Sequence, residues 1–522
     1  MERTKTVNVI RSTATGIANS LIILLLNLIS QKLFLQYIGI EYLSVAQVIT
    51  NLLVVLSFTE LGLSHSVTYM LYEPVASDNR EEICRILHLY RKFNRYVGCI
   101  IGIVGLFFMP FLHLFIKTGI DIYMIYIIYL LNLFTSVSSY FYSYRNVLLG
   151  AHQKDYVSSI ISTAVSLGRV IIQCFLIYIT HSYLVFLIVG LCASIIQNAI
   201  IYFLTGKMYP YIRRSNIKEY DQRIQNTKQK LIHNMASMAS VKIAGIVINN
   251  TDNILTSWIN TILVGICANY LTISTMIKSL INIFHQALLH SVGIASTEKT
   301  NLEKYKLFKK VLLVNTFIVG IISVCLGTLW NDFIVLWIGN KYLLDPLIYI
   351  SLLLNFMWAL LTSPIWIFRD ANGLFVHVKN MLLVNAVLNL VFSLILGKFL
   401  GVAGVFFGTI VADLFTDFWY DSNIIFQKVF QKRWALSYHL YIFENVLVIL
   451  GIVWLISYLA RAWEINIIFW IIKGALTASI YIIWFFLRNR HSDEYHDVKD
   501  NMVIPYLKVI MGKIFRKRDK NI

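Results

Sequence analysis

Residues 299–338 read KTNLEKYKLFKKVLLVNTFIVGIISVCLGTLWNDFIVLWI. The first twelve positions carry five lysines, and the run from Val311 to Leu336 that follows holds a single charged residue, Asp332. About 20 consecutive apolar residues are enough to cross a bilayer as a helix, and a basic flank marks the cytoplasmic end. The stretch predicts a membrane-spanning helix that starts on the cytoplasmic side.

Outward from it the same pattern repeats nearly from end to end. Of 522 residues 58% are hydrophobic and only 14% charged, which no soluble core requires. About fourteen apolar runs of spanning length can be counted. The net charge of +18 would suit a nucleic-acid partner, but the basic residues sit on alternate loops. About 36 of the 45 Lys and Arg fall on the N-terminal tail, the even-numbered loops and the C-terminal tail, and about five on the opposite side. The clearest basic segments are Arg80 to Arg95, Lys207 to Lys230, Lys299 to Lys310 and Arg488 to Lys520. This predicts a multi-pass protein of a bacterial cytoplasmic (inner) membrane with both termini cytoplasmic, in contact with membrane lipid and not with nucleic acid. The first apolar run has full spanning length, so no cleavable signal is expected. The six cysteines are scattered without C-x-x-C spacing and read as packing residues.

A faint internal repeat organises the runs. Leu63-Ser64-His65-Ser66-Val67 near the end of the second span matches Leu288-Leu289-His290-Ser291-Val292 near the end of the eighth. Tyr144-Arg145-Asn146, with Gly150, His152 and Lys154, resembles Phe368-Arg369-Asp370, with Gly373, His377 and Lys379. The offset is about 225 residues. Six helices per unit is an even number, so the two units relate by an axis along the membrane normal. The expected fold is an all-α polytopic membrane protein of about 14 transmembrane helices. It divides into an N-terminal six-helix lobe (1–205), a cytoplasmic linker (206–235), a C-terminal six-helix lobe (236–428), an appended pair of helices (429–487) and a basic tail (488–522). A cleft between two such lobes is the natural place for a substrate.

Polar groups at membrane depth cost about 2.5 kcal/mol or more each when charged, so they mark candidate sites. On the seventh span Lys242, Asn249 and Asn253 share a face, with Asp252 beside them; on the eighth, Ser274, Lys278, Asn282 and His285 do the same. Thr50, Ser57, Glu60 and Ser64 form a stripe on the second span, and Ser20, Asn27 and Gln31 on the first. By the repeat offset, Ser57 and Glu60 take the positions of Asn282 and His285. The simplest packing puts spans 1, 2, 7 and 8 around a hydrophilic cavity, with smaller stripes at Ser162, Ser166, Arg169 and Gln173 and at Asn385, Asn389 and Ser393. Lys242, Lys278, Arg169, Asn249, Asn253, Asn282 and Ser57 are the candidate substrate residues. Glu60, Asp252 and His285 are the candidates for a coupling H+ or Na+.

No nucleotide-binding, metalloprotease or metal-spaced Cys/His motif occurs. No cofactor, metal or catalytic residue is expected, and the long extramembrane loop that a polymerase or glycosyltransferase would need is missing from the predicted spans. The protein reads as a transporter and not an enzyme.

Several short motifs, in order, carry a family resemblance. They are Gly39-Ile40-Glu41-Tyr42-Leu43, Glu60-Leu61-Gly62, Tyr72-Glu73-Pro74-Val75-Ala76, Tyr209-Pro210-Tyr211-Ile212, Asn250-Thr251-Asp252-Asn253-Ile254-Leu255 and Asn269-Tyr270. Over most of its length the chain resembles the polysaccharide-repeat-unit or O-antigen flippases, of the larger group that includes multidrug exporters and lipid II flippases. The resemblance implies a two-lobe transporter that turns an undecaprenyl-pyrophosphate-linked oligosaccharide from the cytoplasmic to the periplasmic leaflet, for O-antigen or capsule. It implies polymerase and glycosyltransferases of the same pathway as partners, and basic cavity residues for the pyrophosphate, with Lys278 at the position expected for one and Lys242 and Arg169 as helpers. The alternative is an ion-coupled multidrug or small-molecule exporter of the same fold, whose cavity is expected to be acidic. Lys242 and Lys278 count against it.

Overall fold

A computed structural model describes residues 22–23, 25–56, 63–213, 244–248, 250–432 and 435–500. Ser57, Glu60, Lys242 and Asn249 lie outside the described residues, as do most of the expected linker and the end of the basic tail. The described residues form helices and turns with no strand, and ten of these helices are long and apolar enough to cross a membrane. The chain is an all-α polytopic membrane protein. In hydrocarbon each backbone amide needs a partner within its own segment, which leaves an unbroken helix as the economical solution for an apolar run.

Helix α1 covers 25–37, α2 Ile40–Leu56, α3 Leu63–Ala76 and α4 Arg80–Phe108; α5 is Ile122–Tyr142, α6 Asp155–Thr180 and α7 Tyr183–Met208. Next come α8 at 250–259, α9 Thr261–Glu298, α10 Asn301–Ile338, α11 Pro346–Leu361 and α12 Ser363–Ala371. The remaining helices are α13 Phe375–Phe415, α14 Asp417–Lys428, α15 Leu436–Leu459, α16 Ile467–Asn489 and α17 Asp493–Val498.

Two basic segments expected as loops are helical. Asn79 caps α4, its Oδ1 accepting from the Glu82 amide at 3.1 Å, and Arg85 pairs with Glu81 and, at 2.7 Å, with Glu82 one turn away. Thr300 and Glu303 form a capping box at the start of α10. The helices project past the apolar run because their first turns are capped and carry side-chain pairs.

As the spans expected at Met381–Phe399 and Val402–Phe426 require, α13 is two helices joined by a sharp turn at Gly401 (φ 61°, ψ −142°), a left-handed conformation that glycine adopts without strain. Its second half folds back on the first so closely that a Cβ at Gly404 would overlap the Leu396 backbone, and one at Gly408 the Ser393 backbone. This is the small-x-x-x-small packing of membrane helices. Ser393 Oγ donates to the Val405 carbonyl at 2.9 Å, and Asn389 Nδ2 to Thr409 Oγ1 at 2.9 Å. Thr416 (φ −124°, ψ −97°) then breaks the chain before α14.

By contacts the chain forms two compact units, the described residues up to Leu280 with Leu382–Thr409, and Ile281–Met381 with the described residues from Ile410. The division departs from the lobes expected at 206–235, since α9 and α13 each contribute to both units. The repeat is nonetheless visible in the elements. The helices starting at Ile40, Arg80, Ile122 and Asp155 have counterparts starting at Thr261, Asn301, Pro346 and Phe375, 220 to 224 residues later. These offsets lie within about one helical turn of the expected 225.

Each unit also has an arginine latch at the repeated Arg. In the first, Arg145 Nη1 donates to the Tyr202 carbonyl at 2.8 Å and its guanidinium lies 3.6 Å from the Tyr202 ring centre. In the second, Arg369 donates to Asp421 at 2.7 Å and to Asp370 at 2.8 Å.

The second unit is built on α10. Gly320 lets Tyr481 of α16 lie against the helix and donate to the Thr316 carbonyl at 3.0 Å. Thr328 meets Thr477 at 3.3 Å and Asp332 pairs with Lys473 at 2.8 Å. The pair α15 and α16, expected as an appendage, packs on α10 and brings the partly exposed charges of Lys473 and Asp332 together.

Gly408→Leu should cost roughly 1–3 kcal/mol by overpacking. Gly451→Ala, whose Cβ would meet nothing within 4 Å, should be neutral. Size-exclusion chromatography of heated membrane extracts reads both, and equal melting of the two variants would contradict the hairpin.

Candidate functional site

In the first unit, α1, α2, α8 and α9 enclose a cavity of ≈ 600 Å³. Its wall on α9 includes Ala268, Thr272, Thr275 and Ser279, which recur three or four residues apart on one helical face, and beside them Ser274 and the apolar Leu271, Met276 and Leu280. Asn27 of α1, Gln47 of α2 and Asn253 of α8 supply amides, and Lys278 is the one charged group among the described lining residues.

Polar links hold these helices in register. Gln31 Nε2 donates to Asn269 Oδ1 at 2.5 Å, joining α1 to α9, and Asn253 Nδ2 donates to Asn51 Oδ1 at 3.3 Å, joining α8 to α2. Ser44 Oγ lies 2.8 Å from the Ile40 carbonyl and 3.2 Å from that of Ile262. A Cβ at Gly265 would overlap this hydroxyl, so glycine permits the close approach of α2 and α9. With their partners inside the protein, Gln31, Ser44, Asn51 and Asn269 act as glue, which leaves the cavity lined by a different set of polar groups.

Of the sequence-predicted residues, the structure brings Lys278 and Asn253 to this cavity, together with Asn27 and Ser274 of the predicted polar stripes. Asn282, one turn beyond Lys278, is exposed and is not among the lining residues. Asp252 turns to a different neighbour: its Oδ2 accepts from Thr409 Oγ1 at 2.9 Å, and Thr409 in turn accepts from Asn389. Arg169 lines a separate cavity of ≈ 350 Å³ with Ser166 and Gln173.

His285 is fully buried in the second unit. Its Nε2 lies 2.8 Å from Asn315 Oδ1 and 3.1 Å from Ser363 Oγ. Asn315 Nδ2 donates to the Leu360 carbonyl at 2.9 Å, so its Oδ1 faces the ring and Nε2 carries the proton. Trp366 covers the ring edge-on at 5.7 Å. The arrangement is a clasp joining α9, α10 and the turn between α11 and α12, while Nδ1 is buried without a hydrogen-bond partner among the described residues.

Gln47, Thr272, Thr275 and Ser279 were missed in the sequence. The spacing of the last three on one face was visible, but the charged stripe one residue away outweighed it. Period alone gives a face and not its neighbour.

No family model and no curated protein matches the chain. Solved structures do. The lipid II flippase MurJ, in an inward closed conformation, superposes with a TM-score of 0.65 at 14% identity, over 92% of this chain and 99% of that one. The Vibrio cholerae MATE transporter VcmN gives a TM-score of 0.55 at 13% identity, over 79% of this chain and 94% of that one. This chain has the fold shared by these transporters. The eukaryotic MATE transporter AtDTX14 matches at a TM-score of 0.52 and 12% identity, over 78% of this chain and 93% of that one. At such identities the likeness concerns the fold, and the chemistry has to be read from this chain's own residues.

Asn315→Leu leaves the His285 Nε2 proton without its amide acceptor and should lower stability by about 1–3 kcal/mol. Because the clasp is not part of the Lys278 cavity, transport per folded molecule should stay near wild type. A transport defect with unchanged melting would place His285 in the transport step.

Proposed function

We propose that this chain is a flippase that moves an undecaprenyl-pyrophosphate-linked oligosaccharide from the cytoplasmic to the periplasmic leaflet by alternating access, for surface polysaccharide such as O-antigen or capsule. One observation carries the reading: a cavity within an apolar helical unit whose lining joins amides, hydroxyls and apolar side chains to Lys278, the one charged group among the described lining residues. Amides and hydroxyls can exchange hydrogen bonds with sugar hydroxyls, and an ammonium suits a phosphate oxygen. The lipid tail needs no polar site, since it stays in the hydrocarbon from which it comes.

Lys242, Asn249 and Ser57, on the predicted spans 7 and 2, would add to the same lining. A proton or sodium ion is the coupling partner we assign to Asp252 and Glu60, where carboxylates lie at membrane depth. His285 is left out because its ring is enclosed by Asn315, Ser363 and Trp366. An exporter of cationic drugs calls for an acidic lining, and no carboxylate stands among the described lining residues.

Depletion of the protein should make lipid-linked repeat units accumulate in the cytoplasmic leaflet, read by leaflet-selective lectin labelling of vesicles. Unchanged distribution would overturn the assignment. Lys278→Ala should slow flipping about tenfold or more, since a hydrogen bond to a charged group contributes about 1.5–3 kcal/mol. Lys278→Glu should be worse and Lys278→Arg milder. Full activity of the Glu variant at normal expression would remove Lys278 from the site.

A further inference from the structure

The cavity of ≈ 350 Å³ that holds Arg169 lies wholly in the first unit, lined from α5, α6 and α7, and shares no lining residue with the Lys278 cavity. Arg169 stands near the middle of α6, a candidate membrane span. A guanidinium there is costly unless its charge is compensated. No Asp or Glu lines the cavity, Arg169 forms no ion pair among the described residues, and its Nε is buried there without a hydrogen-bond partner.

The neighbouring side chains divide into two groups. Asn132, Thr135 and Gln173 donate to the helix carbonyls of Ile128, Leu131 and Phe186 at 2.8, 2.8 and 2.9 Å. Their donors are used in holding helices. Ser166, three residues before Arg169 on α6, and Ser194 and Gln197, three residues apart on α7, make no hydrogen bond among the described residues. One cation and three neutral donor groups therefore line a chamber without a carboxylate.

We propose that this cavity is an anion-binding site, in which Arg169 with Ser166, Ser194 and Gln197 holds a single small anion. The shared chemistry is a compact negative charge that accepts several N–H and O–H bonds, supplied either by a free ion such as chloride or by the phosphate of an anionic lipid headgroup. A bound anion compensates the guanidinium where the protein supplies no carboxylate. The site goes beyond the flippase reading and does not depend on it.

The test is thermal melting of the full-length protein in nanodiscs, with no transport readout. In zwitterionic lipid, replacing gluconate by chloride at a constant ionic strength of about 150 mM removes general screening as a cause. A second arm keeps gluconate and adds phosphatidylglycerol. Wild type should gain about 2–4 °C in one arm, chloride identifying a free ion and phosphatidylglycerol a headgroup. Arg169→Gln should lose the gain and Arg169→Lys keep part of it. Should Arg169→Gln not be recovered folded, Ser194→Leu, which fills the chamber and keeps the charge, should also lose it. No gain for wild type in either arm, or an equal gain in Arg169→Gln or Ser194→Leu, would overturn the proposal.

Discussion

Hydrocarbon offers no partner to a polar group, and each structural choice in this protein answers that constraint. Backbone amides are satisfied by helices, so the apolar runs become helices with few interruptions. Polar side chains that remain at membrane depth must then find each other, and the pairs Gln31 with Asn269, Asn253 with Asn51, and Asn389 with Thr409 are the result. These contacts need short distances between helix axes. Gly265, Gly320, Gly404 and Gly408 provide them by carrying no Cβ at the crossing points.

Other polar groups, of which Thr272 and Ser279 bond within their own helix, line cavities. Thr272, Thr275, Ser279, Asn27, Gln47 and Lys278 line one chamber, and Arg169 with its neighbours another. The two differ in construction. The first mixes amides, hydroxyls and apolar side chains with one lysine over four helices, whereas the second gathers a few donors around one arginine. Packing of the glue residues and lining of the cavities are thus two outcomes of a single rule.

Much of the fold was legible in the sequence, because bilayer thickness and loop charge each leave a strong signal: the run at 311–336 is one helix with a basic start. The break at Gly401 was legible too, between the runs ending at Phe399 and starting at Val402, whereas the break at Thr416 was not, since an apolar run reads the same whether or not it is interrupted. The repeat was read at about 225 residues, and the helix starts recur at 220 to 224, since the segments between helices differ in length from one half to the other. For the site, Lys278 and Asn253 were legible as charged or amide groups on a polar stripe. Asn282, Asp252, His285 and Arg169 were equally visible as polar but meet other neighbours, which is decided by helix rotation and by partners such as Thr409 and Asn315.

The central claim is that the Lys278 cavity receives the head of a lipid-linked glycan. A photo-crosslinking amino acid at Thr275, on the cavity wall, tests it most directly, with the exposed Ile103 of α4 as the control position. Irradiated cells should yield an adduct carrying the glycan and its pyrophosphate lipid at position 275, absent from position 103 and from cells blocked in repeat-unit synthesis. An adduct of equal yield at both positions, or one at position 275 made only of bulk phospholipid, would contradict the account.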